Sequence, residues 1–221
     1  MKTYGIVGAG GFGREVMPFA RQMLDAEHGR GGYELVFVVE FGSTQPVNGV
    51  RVMTAEEFLR VDGERRFNIA IADHAARKRI AERLGNDGAT PFSVVAPNSV
   101  LGDANQIGEG AILCPFTMVT SNATIGRFFH ANIYSYVAHD CVIGDYVTFA
   151  PGVKCNGRVR IEDGAYIGTG AVLREGSPER PVVIGAGAVI GMGAVVTKSV
   201  PPGATVVGNP AKALALATGT K

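Results

Sequence analysis

A six-residue apolar grid through the second half of the chain and an alternation of strand, glycine turn and helix through the first predict a two-part fold. An α/β Rossmann-like domain over residues 1–92 precedes an all-β parallel β-helix of hexapeptide repeats over residues 93–221. The grid is Val95, Leu101, Ile107, Leu113, Val119, Ile125, Ala131, Val137, Ile143, Phe149, Cys155, Ile161, Ile167 and Leu173. An α-helix needs apolar residues at steps of three and four, which a strict period of six does not supply, and the interspersed glycines would each weaken a helix by ~1 kcal/mol. Gly often follows the grid residue (Gly102, Gly108, Gly126, Gly144, Gly168). The slot four residues after it is mostly small or β-branched (Ala111, Thr117, Ala123, Ser135, Val147, Ala165, Ala171). That pattern is a short strand and a corner, repeated. Three hexads make a triangular coil of about 18 residues, its grid side chains turned inward, with coils stacked at roughly 4.8 Å.

After Leu173 the frame resumes at Ile184, Ile190 and Val196, eleven residues on instead of six, so five residues are inserted around REGSPERP, 174–181. Charge, Pro and Gly place this segment outside the prism as an external loop over 174–183. Loops of this kind often cover a site between subunits. A tolerated surface insertion is the plainer alternative.

The 221 residues carry 21 basic and 20 acidic side chains, a balance that gives no electrostatic reason to expect nucleic acid or a membrane surface as partner. No apolar leader follows Met1, and no stretch approaches the ~20 apolar residues of a membrane span, so a cytoplasmic location is expected. Cys114, Cys141 and Cys155 all lie within the repeat and read as small buried hydrophobes. A metal site would have to use His28, His74, His130 and His139. Only the last two fall in the β-helix, on different hexad slots, and no metal is expected.

In the first ninety residues, 3–8 read as a buried strand, about 13–25 as a helix with Pro18 early in it, and 33–40 as a second strand. Thr54 and Glu57 make a capping box for a short helix. Residues 67–72 read as a third strand, and Asp73 as the N-cap of a helix to Leu84. The turn Gly8-Ala9-Gly10-Gly11-Phe12-Gly13 satisfies G-x-G-x-x-G between a strand and a helix, where backbone N–H groups and the helix dipole receive a phosphate. Only half of a dinucleotide-binding domain precedes the repeat, so a nucleotide-diphosphate sugar fits better than an oxidoreductase cofactor. Close strand–helix packing is the alternative role for these glycines.

Taken together, GAGGFGREV at 8–16, AIAD at 70–73, VAHDCVIGDYVTFAPGV at 137–153 and VPPGATVVGNPAK at 200–212 resemble one enzyme group along nearly the whole chain. These are the nucleotide-sugar acyltransferases of the sialic acid O-acetyltransferase-like group, which includes N-acetyltransferases of 4-amino-4,6-dideoxy sugars. The resemblance implies a left-handed β-helix, a homotrimer and acetyl-coenzyme A as co-substrate. It implies His139 as the general base, on an outer face two residues after inward Val137, with Asp140 in support though alternation along a strand would point it away. Gly157, one coil on from His139, is the expected oxyanion donor.

By the same resemblance, coenzyme A lies along a groove between two prisms, with Thr169, Gly170, Gly191, Met192, Lys198, Asn209 and Lys212 as its contacts. The nucleotide sugar falls to Gly8, Gly10, Gly11, Phe12, Arg14, Glu40, Asp73 and Arg77. The chain departs from the group's pattern at Phe12 and Thr148, where His is common, and at Glu40-Phe41, where paired aspartates are common. The expected activity is acetyl transfer to the amino group of a nucleotide-linked amino-deoxy sugar by direct attack, in bacterial surface-glycan biosynthesis. Sugar O-acetylation of the sialic acid type and a non-catalytic trimeric scaffold are the alternatives.

Overall fold

A computed structural model describes residues 1–214; the remainder of the expected second domain, 215–221, lies outside the described residues. Five parallel strands form the first sheet, in the order β3-β2-β1-β4-β5: β1 Lys2–Val7, β2 Tyr33–Val39, β3 Val52–Thr54, β4 Glu64–Ile69 and β5 Thr90–Pro91. The helices are α1 (Gly11–His28), α2 (Ala55–Leu59) and α3 (His74–Asn86). Thr54 and Glu57 close the capping box, and the Asp73 carboxylate accepts the Ala76 N–H at 2.7 Å.

Three local expectations need correction. Helix α1 runs through Pro18 to His28, because Pro18 and the Arg14 carbonyl it leaves without a donor both lie on the exposed side, where the lost bond costs less than in a buried turn. The third strand starts at Glu64 and ends at Ile69, its last ladder contact being Ala70 N–H to the Val7 carbonyl at 2.8 Å. Strands β3 and β5 are too short to show a period of two, and periodicity overlooks them.

From Val94 the chain winds into a triangular prism with three parallel faces. Face one carries Ile112–Leu113, His130–Ala131, Thr148–Phe149 and Tyr166–Ile167. Face two carries Met118–Val119, Tyr136–Val137, Lys154–Cys155 and Val172–Leu173. Face three carries Thr124–Ile125, Val142–Ile143 and Val159–Ile161. Partners along each face are 18 residues apart until the insertion and 23 across it, as in Tyr136↔Lys154 and Tyr166↔Val189. The grid residues from Leu113 to Leu173 are all buried, and so are the small residues four places on, which fill the corners. Leu101 breaks the pattern at 47% exposed, because its coil is the first and nothing stacks beyond it.

Corner geometry differs from what the glycine pattern suggests. The turn residue stands three places after the grid, and at Ala104, Phe116, Asn122, Phe128, Tyr134, Asp140, Tyr146 and Arg158 a non-glycine side chain holds φ between 54° and 61°. Each costs on the order of 1 kcal/mol or more in isolation. At the six from Asn122 onward a hydrogen bond to the preceding coil offsets it, as in Asp140 N–H to Ser121 O at 3.1 Å and Arg158 N–H to His139 O at 3.0 Å. The glycines directly after the grid instead let coils approach, since a Cβ on Gly102 would sit 1.9 Å from the Thr120 carbonyl.

The first domain packs on face one and on its corner with face three. Phe128 and Tyr146 stack at 5.4 Å and join the core under α3, while the Asn68 amide reaches across to the Gly110 carbonyl at 3.2 Å and the Ala111 carbonyl at 3.3 Å. Arg77, expected in the substrate cleft, is wholly buried at this junction. Its guanidinium donates to the carbonyls of Ile71 (2.8 Å), Ala72 and Tyr146, to Thr148 Oγ1 (3.0 Å) and to His130 Nδ1 (3.1 Å). With these groups committed, Arg77 ties the domains together and has no reach into a cleft. Burial lowers it to about 10.

His130 completes the clamp: its Nε2–H donates to the Ile69 carbonyl at 2.9 Å, leaving Nδ1 to accept from Arg77, so the ring is neutral. Burial and the Arg77 charge push its pKa well below the ordinary 6.5. The unfolded chain therefore binds a proton that the folded one refuses. The stability His130 lends is whole above pH 6.5 and is lost as pH falls from there toward the folded-state value, by at most ~1.4 kcal/mol per pH unit. Thermal melts between pH 7.5 and 5 should show a declining Tm for the wild type and a shallower decline for His130→Gln; equal slopes would contradict this assignment.

Candidate active site

The 18-residue register builds the site. His139, Gly157 and Glu175 follow one another at that spacing and form one column on the corner between faces two and three; Asp140, Arg158 and Gly176 form the column beside it. Arg158 N–H bonds His139 O, and Gly176 N–H bonds Gly157 O at 3.0 Å, so the coils lock these columns together. His139 Nδ1 lies 2.9 Å from Asp140 Oδ2. The two residues meet because both sit in a corner turn with Asp140 at φ 58°, so the alternation expected of a strand does not apply.

Neither Arg158 nor Glu175 stood out in the sequence. Arg158 Nη2 is 3.5 Å from Asp140 Oδ2, its Nη1 is 3.0 Å from Glu175 Oε1, and that same oxygen stands 3.7 Å from His139 Nε2. The imidazole thus has a carboxylate toward each nitrogen, with one guanidinium between the two acids. The 18-residue spacing from His139 was the signal available for Glu175, hidden because it opens the inserted loop. That loop closes on itself through hydrogen bonds between Ser177 and Arg180, and its Ser177, Pro178 and Pro181, with Asp140, Val142, Arg158 and Arg160, line an open pocket of about 350 Å³.

Gly157 lies directly under the imidazole. A Cβ there would stand 2.5 Å from Cε1 and 2.7 Å from Nε2 of His139, and the Gly157 N–H has no acceptor among the described residues. Cys141 and Cys155 bury their sulfurs 3.9 Å apart, with the Cys141 thiol directed to the Asn156 carbonyl. The neighbouring Cys141 sulfur and burial hold Cys155 well above its ordinary pKa, which suits packing and not attack.

The glycine turn lies elsewhere. Gly13 is there for packing, since a Cβ would fall 1.8 Å from the Gly8 carbonyl, whereas Gly10 and Gly11 face open space at the free N–H end of α1, where a phosphate can approach. Gly11, Phe12 and Glu15 face His130, Asn132, Thr148, Ala150, Pro151 and Thr169 across a cleft of about 240 Å³. Arg14 is exposed next to it. Glu40 is paired with Arg79 at 2.7 Å, and Asp73 is spent as an N-cap.

Thr169, Gly170, Gly191 and Met192 make one ledge on the corner between faces one and two, the Gly193 N–H bonding the Thr169 carbonyl at 2.8 Å. Lys198 falls on the His139 corner instead, after Val195–Val196 of face two, and Lys212 pairs antiparallel with Val207 beyond the turn holding Asn209. The two lysines therefore do not share a surface.

The PglD N-terminal domain family matches residues 5–84. Over 215 residues the chain is 55% identical to GDP-perosamine N-acetyltransferase from Escherichia coli O157:H7, covering 97% of each. The chain belongs to the nucleotide-sugar N-acetyltransferases of the hexapeptide-repeat superfamily. Its prism is the left-handed β-helix of that group. WeeI from Acinetobacter baumannii AYE superposes with a TM-score of 0.91 at 51% identity, covering 97% of this chain and 100% of that one. The acetyltransferase domain of PglB from Neisseria gonorrhoeae FA1090, in complex with acetyl coenzyme A, gives 0.84 at 28% identity over 96% and 98%.

As an N-acetyltransferase with its imidazole seated on Gly157, the enzyme should not tolerate a methyl there. Gly157→Ala is expected to swing the ring off its column, lowering kcat by roughly 10²-fold while Tm moves little, because the half-exposed ring can yield. Steady-state kinetics beside a thermal melt checks both.

Proposed function

We propose that this enzyme transfers the acetyl group of acetyl-coenzyme A to the amino group of GDP-perosamine, with His139 as the general base. What carries the proposal is the imidazole on its glycine seat, oriented through Nδ1 by Asp140, together with the 55% identity to a GDP-perosamine N-acetyltransferase along the whole chain.

The acceptor amine attacks the thioester carbonyl carbon as His139 Nε2 takes a proton from it. The Gly157 N–H, without an acceptor among the described residues, stands ready for the oxyanion, and the imidazolium returns the proton to the departing thiolate as the C–S bond breaks. Asp140 fixes the tautomer that leaves Nε2 free. No acyl-enzyme is needed, and the Cys141 and Cys155 sulfurs are both buried away from an incoming thioester.

A homotrimer supports this chemistry. The glycine-turn cleft and the ledge at Thr169, Gly170 and Met192 lie on the corner of faces one and two, while His139 and Lys198 lie on the corner of faces two and three of the same prism. A sugar held at the turn of one protomer reaches the imidazole of the next when two such edges face each other across a threefold assembly, with coenzyme A between them. Phe12 and Thr148, where related enzymes often carry His, make this cleft less basic. The reaction is assigned to the cytoplasm, upstream of surface-glycan assembly. No helix among the described residues is long and apolar enough to cross a membrane.

Release of free thiol from acetyl-coenzyme A in the presence of GDP-perosamine tests the reading. His139→Ala should lose roughly 10²- to 10⁴-fold in kcat with its fold intact. Wild-type turnover with none of a panel of nucleotide-linked amino sugars would refute the reading in favour of a non-catalytic scaffold, and turnover with hydroxyl acceptors alone would favour O-acetylation.

A further inference from the structure

We infer that Glu175, carried by the inserted loop, is the docking group for the acceptor's ammonium and makes the enzyme prefer an amine over a hydroxyl. The inference rests on the proposed role of His139 and adds a specificity residue to that site.

The geometry is specific. Glu175 Oε1 and His139 Nε2 are 3.7 Å apart, too far to bond each other, yet close enough for one nitrogen to lie at about 2.9 Å from both. An amine on a sugar ring is less basic than that of lysine but still carries a proton in part at neutral pH, and an ammonium has protons for both neighbours. A hydroxyl has one proton and no charge, so it cannot satisfy the base and the carboxylate together.

The carboxylate is held for this purpose. Arg158 Nη1 bonds Glu175 Oε1 at 3.0 Å, and Arg158 is itself fixed by its N–H to the His139 carbonyl and by Asp140. The Gly176 N–H then ties the root of the loop to Gly157. Glu175 is half-exposed, so an incoming ligand reaches it, and the 350 Å³ pocket under the loop lies beside the arginine that positions it. The five extra residues acquire a role here. They let the chain leave the prism immediately after Glu175 has been set in the His139 column.

In use, the ammonium binds between Glu175 and His139 and loses its extra proton to solvent. The neutral amine then attacks, and its next proton goes to Nε2. Glu175 thus acts on binding of the acceptor, and His139 on its reaction.

The test is Glu175→Gln, with Glu175→Asp as the conservative variant, measured by thiol release. One ligand is GDP-perosamine as substrate; the other is its analogue with a hydroxyl in place of the amino group, as competitive inhibitor. Loss of one charge-assisted contact should raise KM for the amine roughly tenfold in Glu175→Gln. The inhibition constant of the hydroxyl analogue should stay where it is, and Glu175→Asp should recover part of the loss. The wild-type preference for the amine should also fade at pH above the pKa of the free amine, and the Gln variant should show no such dependence. An unchanged KM, or equal weakening of amine and hydroxyl ligands, would overturn the inference. His139→Ala run alongside separates the two claims: full turnover in that variant refutes the base, whatever Glu175→Gln does.

Discussion

The 18-residue coil is the constraint on which everything else stands. Parallel pairing at fixed register, with apolar grid residues buried along its length, turns sequence spacing directly into spatial columns. A residue on a corner therefore has its neighbours chosen by arithmetic. His139 meets Gly157 below it, Glu175 arrives next, and the adjacent column supplies Asp140 and Arg158. No long-range folding accident is needed to assemble the site; the core that holds the prism together also holds the imidazole. The same stacking allows non-glycine residues to occupy positive φ at the corners, because from Asn122 onward each such turn donates its N–H to a carbonyl of the preceding coil.

A second constraint orients the two domains. Arg77 is buried with no carboxylate at hydrogen-bond distance among the described residues, its charge solvated by carbonyls from both sides of the junction and by neutral His130 and Thr148. Such an arrangement is costly to disturb, since each acceptor would be left unsatisfied. It fixes the glycine turn over the corner of faces one and two, and so decides on which edge of the prism the cleft beside that turn lies. Thr148, one of the departures from the group's usual sequence, is part of this clamp. Phe12 packs on the His130 ring at 5.2 Å, so the other departure is accounted for there as well.

Much of this was legible in the residues. Periodicity gave the inward set, the frame slip of five and the outward His139, because a period of six leaves few other ways to bury the apolar side chains. The capping residues Thr54 and Asp73 declared their helices by local chemistry. What escaped depends on tertiary context. Arg77 reads as a cleft residue on α3 until the prism closes over it. Asp140 reads as turned away from His139 until its positive φ is known. Glu175 lies in a stretch whose composition says only that it is a loop. The separation of Lys198 from Lys212 likewise needs the last coil, where pairing shortens to 16 residues, as in Val189↔Thr205.

In the proposed reaction one acetylation site requires two edges, hence two chains: the glycine-turn cleft of one protomer and His139 of its neighbour. Mixing subunits separates the two-chain site from a one-chain site. His139→Ala and a cleft-filling Gly11→Trp variant, each inactive alone, are to be unfolded, combined in equal amounts and refolded together. Random assembly into trimers should restore about one quarter of wild-type activity, the fraction of sites that pair an intact cleft with an intact imidazole. Activity no higher than that of the separate variants would contradict the claim and place the whole site within a single chain.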